Sequence, residues 1–161
     1  FLDSLSVHPY LSDSSILLDI GSGAGFPGIP LKIIAPALEV TLIDSVQKKV
    51  DFQNHIIRTL HLKGIEAIHG RAQDQEVVQR LKERFDVVIS RAFSDLSTLL
   101  ILSQPFLKKG GKVLAMKGKR ESEEDPSSSA REGAPLRLQK VITFILPFSS
   151  SERTIFLFEK E

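Results

Sequence analysis

The sequence predicts an α/β fold: a mostly parallel, doubly wound sheet of seven strands, closed by an antiparallel hairpin at its C-terminus. Three observations predict it. Short unbroken apolar runs alternate with helix-compatible segments, the pattern of a parallel sheet covered on both faces. The first run breaks directly into a glycine-rich turn, Gly21-Ser22-Gly23-Ala24-Gly25. The last two apolar runs, 141–146 and 154–158, have no helical segment between them and pair as a hairpin.

Each element follows in order. Phe1-Leu2-Asp3-Ser4-Leu5 reads as the end of a helix that begins upstream, and a first residue other than Met implies an N-terminus beyond this sequence. Residues 1–15 are therefore expected to be the remnant of a helical extension, with one domain over 16–161. His8-Pro9-Tyr10 and Ser12-Asp13-Ser14-Ser15 are turn chemistry leading into the first strand, Ile16 to Ile20. Residues 27–34 form a short helix that tolerates Pro30 only in its first turn and is stopped by Pro36. Val40 to Ile43 is the second strand, ending at Asp44.

The clearest helix spans residues 45–62. Val46, Val50, Ile56, Ile57 and Leu60 share one face at helical spacing, Lys49 snorkels beside them, and Gly64 ends the helix. Residues 65–68 are a third strand, 73–84 a polar helix, 85–90 a fourth strand and 95–107 a further helix. Gly110-Gly111 turns the chain into a fifth strand, Lys112 to Met116. Residues 119–135 are charged, serine-rich and broken by Pro126, the composition of a mobile loop.

Composition narrows the classes. With 161 residues, 42% hydrophobic and 25% charged, the chain suits one globular domain. It has no cysteine, hence no disulfide and no thiolate metal site. His8, His55, His61 and His69 show no metal-ligating spacing, so no metal is expected. No apolar run approaches the roughly 20 residues of a membrane helix, and the start has no basic-then-apolar leader, so a cytoplasmic location is expected. A net charge of +1 gives no global pull toward nucleic acid, which leaves only local patches.

Alternating glycines after a strand let the backbone turn sharply and approach a ligand closely. A helix following the turn offers N–H groups to a negative portion of that ligand. The dinucleotide fingerprint would place a third glycine where Phe26 stands. Here Asp19 precedes the first glycine by two residues, giving acidic-x-G-x-G-x-G, which resembles motif I of the class I S-adenosylmethionine-dependent methyltransferases. Ligands of open α/β sheets lie outside the carboxyl ends of the strands. That rule gathers the turn, Asp44, Ala72-Gln73, Ser90-Arg91 and Lys117-Gly118.

Asp44 either accepts both hydroxyls of a ribose or caps the next helix. Asp19 orders the loop, contacts a cofactor ammonium indirectly, or does both. Phe26 is core or pocket lining. Arg91, ending a buried strand, suits a carboxylate, a phosphate or a guanine edge, against the plainer reading of a salt bridge. Lys117-Gly118-Lys119-Arg120, with Lys108, Lys109 and Lys112 near in sequence, is the densest positive cluster, offering phosphate contacts or a solvated turn.

With these residues in place, the chain resembles the bacterial 16S rRNA 7-methylguanosine methyltransferase family RsmG, also called GidB. Phe-Leu-Asp-Ser-Leu from Phe1, Asp-Ile-Gly-Ser-Gly-Ala-Gly-Phe-Pro-Gly-Ile-Pro from Asp19, and Leu-Ile-Asp-Ser with Lys48-Lys49 carry the resemblance. Ile89-Ser90-Arg91-Ala92-Phe93 and Met116-Lys117-Gly118 complete it. It implies a class I methyltransferase Rossmann-like fold, S-adenosyl-L-methionine as cofactor, S-adenosyl-L-homocysteine as product, and methylation of guanine N7 in 16S rRNA. It implies cofactor contacts at Asp19, Gly21, Ser22, Gly23, Ala24, Gly25, Phe26, Asp44, Ala72, Gln73 and Arg91, with Arg91 and Lys117 positioning the substrate. The small ribosomal subunit is the implied partner of a monomeric enzyme.

Two departures stand out. The family usually carries an acidic residue where Gln73 stands, and a helix after Lys117 where this chain has Pro126 and serines. A small-molecule methyltransferase, or a non-catalytic module that binds a nucleoside or RNA, remains the alternative. The absence of cysteine excludes the thiolate attack that C5-pyrimidine methylation uses.

Overall fold

Seven strands form one sheet in the order β3-β2-β1-β4-β5-β7-β6 in the computed structural model, which describes residues 2–91, 93, 95–118 and 135–161. β1 (Ile16–Ile20), β2 (Glu39–Asp44), β3 (Ile65–His69), β4 (Phe85–Ser90) and β5 (Leu107–Lys117) run parallel. β6 (Leu136–Ile145) and β7 (Glu152–Lys160) form the expected hairpin, with β7 antiparallel to β5. The α/β class and the seven-stranded, mostly parallel sheet are those expected.

Among the described residues, five α-helices accompany the strands: α1 (Leu2–Leu5), α2 (Gly28–Ile34), α3 (Gln47–Thr59), α4 (Gln75–Leu81) and α5 (Leu96–Ser103). Successive side chains of a strand point to opposite faces. In β1, Leu17 therefore packs with Ile29 and Leu31 of α2, while Leu18 packs with Leu81 of α4 and Leu99 of α5. All six of these residues are buried. Burial on both faces is why the central strands carry unbroken apolar runs.

Several boundaries differ from expectation, each for a local reason. α3 covers 47–59, not 45–62, and Val46 and Leu60 flank it with 44% and 48% of their surface exposed. Its inward face runs through Val50 and Gln53, with Ile56 and Ile57 half-buried. His61 at φ 52° has already left the helix, so Gly64 at φ 66° begins the approach to β3, its carbonyl accepting the Val40 N–H at 2.9 Å. Lys49 points outward, half-exposed, with Nζ 3.9 Å from Asp44 Oδ2. α4 is shorter than 73–84.

α5 ends at Ser103, and residues 104–106 continue as one 3-10 turn in which Pro105 can donate no helical hydrogen bond. Gly110-Gly111 forms no turn ahead of the fifth strand. β5 already starts at Leu107, and its pairing with β4 jumps from Leu107↔Phe85 to Lys112↔Val87. Gly110, at φ 73°, lies in the bulge that absorbs the extra residues. β6 and β7 each extend beyond the expected runs. Phe1, Ala92, Ser94 and residues 119–134, with Lys119, Arg120, Pro126 and all but the last residue of the mobile loop expected over 119–135, lie outside the described residues.

Among the described residues, no helix is long and apolar enough to cross a membrane.

Candidate functional site

The sheet order 3-2-1-4-5 reverses between β1 and β4, so the chain after β1 and the chain after β4 diverge from a common crevice. The glycine turn sits there. Gly21, Gly23 and Gly25 have φ of 71°, 59° and 90°, a region that side-chain-bearing residues rarely adopt. Gly28 is needed for a different reason. A Cβ on it would run into Leu42 and lie 3.0 Å from Asp19 Oδ2, so only glycine lets α2 start against the sheet.

The turn is held by its own hydrogen bonds. The N–H groups of Gly21 and Ser22 donate to the Ile43 carbonyl at 2.9 and 3.1 Å, and those of Gly25 and Phe26 to the Ser22 carbonyl at 2.8 and 2.9 Å. Gly23 N–H donates to Asp44 Oδ2 at 2.8 Å, and Gly28 N–H, at the start of α2, to Asp19 Oδ2 at 2.9 Å. These donors are thus spent inside the protein. The expected offer of N–H groups to an anionic portion of a ligand is corrected accordingly. The turn shapes a wall and is no phosphate cradle, which also argues against a dinucleotide.

Asp44 is buried at the end of β2. Its Oδ1 accepts the Val46 N–H at 2.9 Å in the turn ahead of α3, while Oδ2 holds Gly23. Val46 is the N-cap of α3 and no side chain caps it, so Asp44 does not take the helix-capping alternative. Each carboxylate oxygen can accept two hydrogen bonds, so acceptor capacity remains toward the cleft. Asp19 is fully buried behind the turn, and its Oδ1 has no hydrogen-bond partner. Burial raises its carboxyl to about 7; the Gly28 N–H and Arg91 pull it down, and Asp44 pushes it up. Asp19 orders the loop through Gly28, as one of its readings required.

Two pockets open along this edge. The first, about 360 Å³, is lined by Gly21, Asp44, Ala72 and Gln73 together with Phe93, Thr98 and Leu102. Its size falls in the range of small-ligand sites. The second, about 310 Å³, is lined by Arg91, Lys117, Met116 and Gly118 with Asp3 and Arg153. Arg91 Nη1 and Arg153 Nε lie 3.8 and 3.3 Å from the two Asp3 oxygens. The Arg91 guanidinium also stands 5.6 Å from the centre of the Phe26 ring, a cation–π arrangement that joins the turn to the basic pocket. Ser90 Oγ donates to the Ile20 carbonyl at 2.9 Å and ties β4 to β1 at this edge.

Thus Gly21, Asp44, Ala72 and Gln73 share one pocket, and Arg91 and Lys117 share the other. Ser22 and Gly25 are buried within the turn, Ala24 is exposed, and Phe26 is half-buried beside Arg91. The basic cluster expected from sequence divides. Lys108 stands at the start of β5, at the other end of the sheet from Lys117, and binds Asp86 Oδ1 at 2.8 Å. Nine residues of strand separate them, on the order of 30 Å at about 3.3 Å per residue.

Gln53, Arg153 and Thr98 went unseen in the sequence, and Asp3 and Phe93 stood in its motifs without a role at the site. Gln53 carried a readable signal, because it sits three residues after Val50 on the inward face of α3, where an apolar residue is the norm. Arg153 carried none, being distant in sequence from every motif, whereas Asp3 stood in the Phe-Leu-Asp-Ser-Leu stretch with no role assigned to it. Among the described residues, no group of three or more His, Cys, Asp or Glu is arranged to hold a metal.

The profile of the GidB family, rRNA small subunit methyltransferase G, matches residues 1–154. A ribosomal RNA small subunit methyltransferase G of Acetivibrio thermocellus is 40% identical over 161 residues, covering 99% of this chain and 66% of that protein. The one of Myxococcus xanthus is 43% identical over 161 residues, covering 100% and 73%. This chain therefore spans about two thirds to three quarters of such relatives. A SAM-dependent methyltransferase from Aquifex aeolicus superposes with a TM-score of 0.71 at 16% identity, covering 97% of this chain and 89% of that one. P. horikoshii TYW2 in complex with MeSAdo gives a TM-score of 0.77 at 10% identity, covering 98% and 61%. At such identities the likeness is one of fold.

Proposed function

Because this chain belongs to the rRNA small subunit methyltransferase G (GidB) family, we propose that it transfers a methyl group from S-adenosyl-L-methionine to N7 of a guanine in 16S rRNA. The observation that carries this reading is the buried Asp44 carboxylate, which spends one hydrogen bond on the glycine turn and faces a 360 Å³ pocket with acceptor capacity to spare. A nucleoside ribose offers two hydroxyl donors to such a group. Hydrogen bonds to a charged acceptor contribute about 1.5–3 kcal/mol each.

The residues present fit the cofactor. Asp44 would take the ribose, Gly21 and the turn would lie along the nucleoside, and Ala72 and Gln73 would meet the base. Asp19, Ser22, Gly23, Ala24, Gly25 and Phe26 would shape the turn beneath it, with Arg91 closing the site beside Phe26. S-adenosyl-L-methionine is a cation with no phosphate, which suits a turn whose N–H groups are already engaged and a wall that holds two buried carboxyls. When bound, it supplies an electrophilic methyl group on a sulfonium.

Guanine N7 carries an in-plane lone pair and no proton, so the chain needs no general base. Its residues have to hold the base in line, exclude water and balance charge. Arg91 and Lys117, which line one pocket, would contact the guanine edge or a neighbouring phosphate, and Arg153 would extend that basic wall. The rest of the reading is a cytoplasmic, monomeric enzyme acting on the small ribosomal subunit, with one domain over 16–161 preceded by the remainder of a helical extension.

Calorimetry with S-adenosyl-L-homocysteine, followed by methyl transfer to 30S subunits, naked rRNA and a metabolite mixture, tests this. Heat of binding and incorporation into 30S rRNA at guanine N7 are expected. Incorporation into metabolites alone would replace the rRNA reading with a small-molecule one. Nucleoside or RNA binding without turnover would reduce the protein to a binding module.

A further inference from the structure

We propose that Gln53 is a positioning residue, a clamp that fixes the glycine turn and its spacing from Asp44. The inference deepens the reading of this edge as the cofactor site and rests on it for its consequence in binding.

Gln53 is fully buried on the inward face of α3. Its Nε2 donates to Ser22 Oγ at 2.8 Å and to the Gly23 carbonyl at 2.7 Å. A carbonyl can only accept, so the amide nitrogen has to face the turn, and chemistry fixes the orientation. That leaves Oε1 in the interior with no hydrogen-bond partner. An amide kept solely to fill space would be a poor choice, because an apolar side chain of similar length would leave no orphaned acceptor. What the amide adds is its two donors, and both go to the turn.

The turn needs them. A Cβ on Gly23 would meet nothing within 4 Å, so no packing confines the chain on that side. On that side its position is set by hydrogen bonds. Gly23 N–H is held by Asp44 Oδ2 and Gly23 C=O by Gln53, so the two sides of one residue are tethered to the last residue of β2 and to the middle of α3. Ser22 Oγ, which accepts from Gln53, donates in turn to the Ile43 carbonyl at 3.3 Å. Releasing Gln53 would free the Gly23 carbonyl to swing and loosen the hydrogen bond from Gly23 to Asp44 Oδ2, leaving the Asp44 carboxylate held in the pocket chiefly by the Val46 N–H.

The test replaces Gln53 by methionine, which is linear and of similar length but donates nothing. Hydrogen exchange of the amides at 23, 25 and 26 should quicken roughly tenfold, with the β1 amides unchanged. The Kd for S-adenosyl-L-homocysteine should rise roughly tenfold, while kcat at saturating cofactor and KM for 30S subunits stay put. Ser22→Ala removes one of the two acceptors and should give a smaller change in the same direction, which keeps the inference testable should Gln53→Met not fold. Unchanged exchange at the turn would overturn the clamp. So would an equal loss in cofactor binding, 30S KM and thermal stability, the mark of a general packing role. Wild-type protein that binds no nucleoside, with exchange still quickened by the substitution, would refute the cofactor reading and leave the clamp standing.

Discussion

The two ends of the parallel sheet are built from the same strands and use charge in opposite ways. At the end where the strands begin, charged and polar groups are satisfied by one another. Asp86 accepts the Ile16 N–H and Lys108 Nζ, each at 2.8 Å, and Lys160 donates to the carbonyls of Gln104 and Leu107 at 2.9 and 2.8 Å. The Lys108 ammonium and the Ile16 N–H hold the Asp86 carboxyl below its usual value even though burial pushes it up. At the end where the strands finish, Asp19 keeps an orphaned oxygen and a raised pKa, and Gln53 an orphaned carbonyl. One end is arranged for stability. The other retains unspent polar capacity, which persists where a ligand or a mechanism needs it.

Asp19 offers the largest way to break that contrast. Its carboxyl is raised from 3.8 to about 7, so the folded state holds the proton more tightly than the unfolded chain. Stability from this group is full below the unfolded value and is lost as pH climbs through 7. Asp19→Asn cannot ionise and should escape that loss. In urea titrations at pH 8 it should exceed wild type by on the order of 3 kcal/mol, with the gap closing toward pH 4. A variant no more stable than wild type at pH 8 would mean that the finishing edge stores no such penalty.

Asp44→Ala should come next, weakening S-adenosyl-L-homocysteine roughly 100-fold in calorimetry. It removes the partner of Gly23 as well as the proposed ribose acceptor. At the opposite end, Asp86→Ala should cost about 1–2 kcal/mol of unfolding free energy while leaving cofactor affinity unchanged. A loss of affinity there would show that the two ends are coupled. Lys117→Ala should raise KM for 30S subunits by roughly fivefold and make its logarithmic salt dependence shallower by about one unit, without moving cofactor affinity. Glu66→Ala, which breaks the exposed pair with Arg80 at 2.8 Å, should shift stability by less than about 0.5 kcal/mol.

The same contrast explains what could be read from the chain unaided. β1, β2 and β4 are legible because burial on both faces demands runs such as Leu17-Leu18 and Val87-Val88-Ile89. The glycine turn is legible because no other residue adopts its backbone so readily. Helix ends are less so. His61 leaves α3 ahead of Gly64 because the loop before β3 sets the exit, and β5 passes through Gly110-Gly111 because a bulge against β4 absorbs them. The basic cluster misled for a geometric reason. Lys108 and Lys117 are near in sequence, but an extended strand carries them to opposite ends of the sheet.

Order along the chain thus determined the class of fold, the order of its layers, the turn at 21–25 and the carboxylate that follows β2, since hydrophobic period, glycine and spacing are local properties. Tertiary structure alone decided that the N–H groups of Gly21, Ser22, Gly23, Gly25 and Phe26 point inward, that Gln53 reaches the turn from α3, and that Arg91 and Arg153 both meet Asp3, the latter across some 150 residues of chain. Those pairings depend on which strands lie side by side and how far each helix is set back, quantities that no local pattern encodes.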